Sequence, residues 1–551
     1  MTGNYQTLPG GGAGIDLSNV ENGQLLQLTN GGAITGLNPS SAGPNLSGIS
    51  AGQLVRRTSL GLDGFDYSAL GSNKTITVAA NNADQTSIQA AIDAANEGDV
   101  VEVLPGIYHE ALTLKPGVIL LCRSGVVVEY TVNNSTPTIS FNGGDWSGLA
   151  NPFVSRSPVN TDYFNCYNCY VLGEGIFRRT ITDAYGNIQF SETPCIKITA
   201  ANGTSYYHLT IEAREIDSVL QWSQQVSIKA DVIKQSVVDA QLLPDILCHQ
   251  SVKANTITFA DCLNGATQDI SVDRVLARVS VNGGATATND PNQAICLKTV
   301  QYVNALYIAQ DGSSDCCLAR DMGTQHVTAN GVDSAQNAGG RQYITAGSIR
   351  MLGMSPGRSR DSVTFAKASH VFAVLIYDYS TLFLEADYIH ASVDVQSGGF
   401  ARVRANQIGA DQTLYNSLHK FDGSIGANPP SQPVKLSNNS GEPSLPASRL
   451  EIVGAKIVQG YFVSGYGGYS DLAIMHTAGH LILRDCVVIA AENADYSVYS
   501  LHAGVSGSVN DASLRLYGTN LTNKAPFRPV DTNGDVIPPD FGAWTVAATI
   551  S

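Results

Sequence analysis

Two carboxylates set the first chemical question. Glu385 and Asp387 lie in the phrase LFLEADYI, which starts at Leu382. In an extended strand successive side chains point to opposite faces, so Leu382, Leu384 and Ala386 share one face and Glu385 and Asp387 share the other. Hydrolysis of a glycosidic bond needs such a pair: one carboxyl protonates the leaving oxygen and the other attacks the sugar or activates a water, at roughly 5–5.5 Å or 6.5–9.5 Å separation. Tyr377, Asp378, Tyr379, Phe383 and Tyr388 are their neighbours in the chain, and aromatic rings are surfaces on which sugars stack. Glu385 and Asp387 are therefore the candidate catalytic residues, with Tyr377, Asp378, Tyr379 and Tyr388 as candidate glycan contacts. A structural reading competes with the catalytic one. FARVRANQI, one rung later, sets Arg404 beside Glu385 and Asn406 beside Asp387. Opposite charges on neighbouring strands stabilise a sheet without catalysis. Glu212 and Arg214 against Lys229 and Asp231 repeat the pattern, which favours pairing at both places.

Other groups are weaker candidates. QGYFVSGYGGYSD places Tyr461, Tyr466 and Tyr469 on Gly-relaxed turns, where aromatics make adaptable contact surfaces; packed tyrosines explain them equally well. Trp146 and Trp222 belong to the same class. Cys166 and Cys169 form a lone C-x-x-C with no second pair or His at zinc spacing, so they read as small buried hydrophobes. Cys316-Cys317 reads the same way, with one side chain on each face of a strand. No metal site and no cofactor follows from these patterns.

The elements that must carry such groups are strands. A phrase of apolar-x-apolar-x-small-x-x-apolar recurs as LTIEAREI at Leu209, VSIKADVI at Val226 and ISVDRVLA at Ile270, the last with Arg in the small position. It returns around Ile344 and at Leu382, Ala401, Leu450, Leu481 and Leu514. Several neighbours are 17 to 24 residues apart, and the wider gaps hold further coils or loop excursions. Alternate residues point inward, a small residue permits a corner, and each coil buries its apolar face only against its neighbours. This is an all-β reading: a parallel β-helix, or solenoid, over residues 76–523. A Pro/Ser/Asn-rich loop insertion interrupts it at 411–448. Before it, Ile88, Ala91, Ile92 and Ala95 share one face of a short helix that covers the open end of the first coil. After it, residues 524–551 form a Pro-rich tail ending in the alternating WTVAATIS, read as a strand for trimerisation.

The stretch SIQAAIDAANEGDVVEVLPGIYHEALTLKPGVILL, from Ser87 to Leu121, resembles the start of pectin-lyase-like right-handed parallel β-helices, a group that includes pectin methylesterases and bacteriophage tailspikes. The resemblance implies a right-handed coil and makes polysaccharide the implied ligand class. The phrases that carry lyase, polygalacturonase or methylesterase activity in that group are not found; AGH at 478–480 is the nearest approach to Gly-His-Gly.

The first 75 residues contain a near-repeat, LSNVENGQLLQLTNGG from Leu17 and LSGISAGQLVRRTSLG from Leu46. Each unit is too small to enclose its own apolar residues, and copies around a threefold axis supply the missing cover. These phrases resemble the particle-attachment segments of bacteriophage tail and head fibres. The resemblance implies a homotrimeric virion appendage, a tailspike or tail fibre, joined to other tail or capsid proteins through residues 1–75 and binding a host surface polysaccharide. A depolymerase of the same architecture and a non-enzymatic head fibre or decoration protein remain alternatives.

The bulk composition narrows the partners. The 551 residues carry a formal charge of −15 and only 14% charged side chains. An acidic surface repels nucleic acid and anionic membranes, and no apolar run reaches the ~18 residues of a membrane span. MTGNYQTLPGGG lacks a basic flank followed by an apolar core, so no signal peptide is read there.

Overall fold

The computed structural model describes the strands Leu54–Thr58 and Gly61–Phe65 and then, in segments, residues 74–129, 139–142, 168–178, 195–199, 208–240, 248–284, 293–308, 316–355, 362–377, 379–409, 433–437, 448–459, 472–489, 496–501, 513–530 and 545–550, apart from one or two positions inside some of these. Cys166, Trp146, Asp378, Tyr461, Tyr466, Tyr469 and most of the N-terminal repeat lie outside the described residues. Leu54–Thr58, from the second repeat unit, and Gly61–Phe65, which follows it, form an antiparallel hairpin. Every other described strand belongs to one sheet whose strand pairs are parallel. The fold is an all-β parallel solenoid.

The solenoid begins under the helix Ile88–Ala94. Ser87 caps it by accepting the Ala90 N–H, and Glu110 from the next coil accepts the N–H groups of Ile88 and Gln89, both at 3.0 Å, and the Ser87 hydroxyl at 2.7 Å. These bonds satisfy donors that a helix start otherwise leaves open. Ile88, Ala91, Ile92 and Ala95 are fully buried, on the face that the sequence pattern assigned to the first coil. Early coils are built from three short strands each. At His208–Gln221 the three merge, because this strand pairs in register with Asn168–Gly173, Ile176–Arg178 and Ile196–Thr199 in turn. From there the central coils are continuous strands of up to 16 residues that turn corners without breaking.

The register places Leu209, Val226, Gln250, Gln268, Gln301, Gln325, Gln342, Thr364, Leu382, Ala401, Leu450, Leu481 and Leu514 in one inward column. This corrects the phrase at Ile270 by two residues. Gln268 occupies the first apolar position and Val272 the small one, so Arg274 never stands at the corner. Four coils go unnoticed in the sequence, those starting at Gln250, Gln301, Gln325 and Thr364, because a polar residue sits where the phrase asks for an apolar one.

Those glutamines form a buried ladder. Gln268 Nε2 donates to Gln250 Oε1 at 2.7 Å, Gln301 to Gln268 at 2.7 Å, Gln325 to Gln301 at 2.8 Å and Gln342 to Gln325 at 2.9 Å. All five are fully buried. Stacking at the coil repeat lets each amide satisfy the next, which removes most of the penalty of burying polar groups in an apolar interior. Only the chain's ends, Gln250 Nε2 and Gln342 Oε1, are left without a partner.

Three further expectations are corrected. Cys316 and Cys317 are both fully buried, as small hydrophobes would be, but they do not share a strand with one side chain on each face: Cys316 precedes the strand Cys317–Arg320 and its Sγ takes the Ser334 N–H at 2.9 Å. The Pro-rich insertion contains a rung, Val434–Ser437, paired to Val393–Gln396. The tail does not leave the solenoid at 523: Ala525–Val530 pairs with Tyr496–Leu501, and Thr545–Ile550 with Ser513–Thr522. Its last strand thus adds a further rung, filling the open edge of the coil before it.

Candidate functional site

Alternation along the central strands creates two outward columns that run parallel to the solenoid axis, separated by one inward column. The first holds Tyr302, His326, Tyr343, Phe365, Phe383 and Arg402. The second holds Asn304, Thr328, Thr345, Lys367, Glu385 and Arg404. Between them lies a groove of about 640 Å³, floored by Ile344, Ala366 and Leu384 and walled by Tyr343, Phe365, Phe383 and Arg402 on one side and Lys367, Glu385 and Arg404 on the other.

The aromatic wall is a stack. Rings from Tyr302 through His326, Tyr343 and Phe365 to Phe383 lie 4.7–5.3 Å apart, centroid to centroid, with interplanar angles of 6–13°. Coil spacing of roughly 4.8 Å is close to a stacking distance, so equivalent residues on successive coils face each other. Each pair contributes roughly 0.5–1.5 kcal/mol beyond its area. Burial between Tyr302 and Tyr343 holds the His326 imidazole below its ordinary pKa, which favours the neutral ring. Because ring faces meet other rings, the groove is offered ring edges and the Tyr343 rim. Sugar stacking on open faces, the expectation for this region, is not what the stack presents.

Glu385 stands in register with Lys367 on the preceding coil and Arg404 on the next. Its ion pair is with Lys367, at 3.7 Å, and not with the expected Arg404. Side chains at 73% and 60% exposure make this a screened contact of ~0.2–1 kcal/mol at most. Asp387 accepts a hydrogen bond from Asn406 at 3.2 Å, the contact its position one coil away implied. Lys229 pairs with Glu212 at 3.6 Å as the charge pattern required, while Asp231 takes its hydrogen bond from Asn255 at 3.1 Å. A glycosidase acid is normally kept protonated by burial or a close carboxylate. Glu385 is open to water and flanked by cations, which suits binding better than proton donation. Glu385→Gln is accordingly expected to leave any glycan-cleaving rate within about threefold of wild type, against losses of ~10²–10⁴ for removing a true acid or base. A turnover assay on purified protein checks this.

Of the tyrosines named from the sequence, Tyr377, Tyr379 and Tyr388 do not line the groove beside Glu385. Tyr388 lies past the corner and stacks on His370 at 5.5 Å. His370 and His390 share a ring-nitrogen hydrogen bond of 3.0 Å, and burial together with His370 pushes His390 down to about 4. Tyr377 is raised by burial and by the nearby Asp394, which belongs to the far end of the strand that carries Glu385. Tyr379 sits in the turn between coils with φ 46°. Trp222 is half-buried where the strand His208–Gln221 ends.

A second cleft of about 560 Å³ lies on earlier coils, floored by Ala213, Ala230, Ala254 and Ala305 and lined by Glu212, Lys229, Asp231, Lys253, Asn255 and Asp273. Its alanines stand in the small corner position of the repeated phrase. Among the described residues there is no group of three or more His, Cys, Asp or Glu placed to hold a metal, and no helix is long and apolar enough to cross a membrane. Cys122, Cys195, Cys248, Cys262, Cys296, Cys316, Cys317 and Cys486 are buried, and burial raises Cys122 to about 12 and pushes Cys248 and Cys262 up as well, which disfavours the reactive thiolate at these three.

The aromatic stack was missed in the sequence although it was visible there. QYVNA at Gln301, QHVTA at Gln325, QYITA at Gln342, TFAKA at Thr364 and LFLEA at Leu382 all carry an aromatic or imidazole ring in second place. Aligning them requires the register, which the inward glutamines conceal. Comparison with family models, curated proteins and solved structures finds no match to this chain.

Proposed function

We propose that this chain is a surface-recognition protein whose central groove binds a polysaccharide without cutting it. The single observation that carries the reading is the groove beside Glu385, where an edge-on aromatic wall faces a row of exposed charged side chains and runs parallel to the coil axis. An elongated polymer fits such a trough: it makes repeated contacts with coils that repeat at roughly 4.8 Å. The pairing of Glu385 with Lys367 and of Asp387 with Asn406 favours binding over hydrolysis.

The biological setting we propose is a bacteriophage tailspike or tail fibre that adsorbs to a host surface polysaccharide as a homotrimer. Support comes from the near-repeats at Leu17 and Leu46 and the SIQAAIDAANEGD stretch, whose phrases resemble such appendages. Incubating the purified full chain with surface polysaccharides from bacteria is expected to give retention on the glycan with no shortening of its chains. Light scattering is expected to give three times the chain mass of 58.1 kDa. Release of oligosaccharides would move the assignment to a depolymerase, and a monomeric mass at micromolar concentration would remove the trimer.

A further inference from the structure

We infer that the polymer taken by this groove is an acidic polysaccharide, one carrying carboxylate or sulfate groups along its length. This rests on the glycan-binding reading of the groove given above. The chain as a whole stands at −15, yet the groove wall presents Lys367, Arg402 and Arg404 against Glu385, three cations to one anion, or +2 locally. A basic groove on an acidic molecule attracts an anionic ligand into that one place while the remaining surface repels it.

The cations are also poorly satisfied by the protein itself. Arg404 has no ion-pair partner among the described residues, although Glu385 stands beside it in register. Lys367 reaches Glu385 only at 3.7 Å with its side chain 73% exposed. Arg402 approaches Glu451 at 4.0 Å, but Glu451 already holds Arg484 at 2.8 Å, so Arg402 is the looser partner and is 57% exposed. All three heads are thus available to an incoming anion, and two of them are guanidinium groups suited to bidentate contact with carboxylate or sulfate.

The spacing selects among anionic polymers. Lys367 and Arg404 stand in one column two coils apart, which is roughly 9.6 Å at 4.8 Å per coil. Duplex DNA carries a charge about every 1.7 Å; so dense a line of phosphates meets too few cations here and is repelled by the rest of the chain. A glycan with one acidic group per sugar or per disaccharide has sparse charge of the kind this column can match. The apolar ring edges of Phe365 and Phe383 on the opposite wall then meet the C–H surfaces of the sugars between the charges.

The test uses the full-length protein and four defined probes: polygalacturonate, chondroitin sulfate, neutral dextran and duplex DNA. Binding is measured by retardation and by calorimetry at low and at physiological salt. The expected result is binding of at least one of the two acidic glycans, weakened by salt, with dextran and DNA unbound. The Arg402→Gln/Arg404→Gln double variant is expected to bind about 10-fold or more weakly, as loss of charge-assisted hydrogen bonds predicts, with an unchanged melting temperature. Dextran binding that is indifferent to salt and to the double variant would overturn the acidic class and leave glycan binding standing. Failure of every saccharide to bind, or a preference for DNA, would overturn both.

Discussion

Gln301→Ala is expected to lower folding stability by roughly 3–5 kcal/mol, far more than an ordinary polar-to-alanine change. Gln301 sits mid-ladder: its Nε2 donates to Gln268 Oε1 at 2.7 Å and to the Ala260 carbonyl at 3.3 Å, and its Oε1 accepts from Gln325 at 2.8 Å. Truncation removes all three bonds, orphans the buried Gln268 Oε1, leaves Gln325 Nε2 with only its 3.2 Å bond to the Val279 carbonyl, and opens a cavity. Gln301→Leu fills most of the space but still orphans Gln268 Oε1, so it is expected to lose nearly as much. Urea titration followed by far-UV circular dichroism measures both. A loss below ~1 kcal/mol for the alanine variant would mean that water enters the column and replaces the amides. Because solenoid coils stabilise only their neighbours, hydrogen exchange should show the damage concentrated in the coils between Gln268 and Gln325.

Gly409→Ala is expected to prevent the chain from reaching a soluble folded state, with a cost above ~4 kcal/mol. Gly409 follows the strand Phe400–Ile408 with φ +82°, and a Cβ there would stand 2.0 Å from the Val458 carbonyl oxygen and 2.9 Å from Pro433 Cβ. The obstructing oxygen is backbone, and its strand, Lys456–Val458, is paired on both sides, to Gln407–Ile408 and to Val487–Ile489. No side-chain rotation relieves the overlap. Gly454→Ala provides the matched comparison. It has φ +72° but nothing within 4 Å of the added Cβ, so it incurs only the left-handed backbone penalty of ~1–2 kcal/mol. Soluble yield and melting temperature separate the two; equal behaviour would show that the close approach at Gly409 is not a constraint.

The sequence by itself determined the architecture, because a parallel solenoid writes its inward face into a local phrase. Leu209, Val226, Leu382, Ala401, Leu450, Leu481 and Leu514 were recognised as equivalent, and the register makes them so. The capping helix was readable for the same reason, since Ile88, Ala91, Ile92 and Ala95 recur at helical spacing. Side-chain alternation also placed Glu385 and Asp387 outward and set Asn406 beside Asp387, where a hydrogen bond joins them.

What only the tertiary structure decided depends on stacking between coils that are far apart in the chain. A lone glutamine in an apolar phrase reads as an interruption; it becomes an interior residue only when another glutamine lies directly above it, and partners here are 18, 33, 24 and 17 residues apart. Loop lengths between coils are free to vary, so no fixed period reveals these pairs. The same holds for the rings from Tyr302 to Phe383, whose faces are used up by neighbours that no local window contains. The choice of Lys367 over Arg404 as the partner of Glu385 is likewise a matter of two cations at equal register distance on neighbouring coils, which the sequence cannot rank. Periodicity within one coil is a local property of the sequence. The chemistry of the outer surface is set by which coils become neighbours, and that is fixed only when the chain has wound.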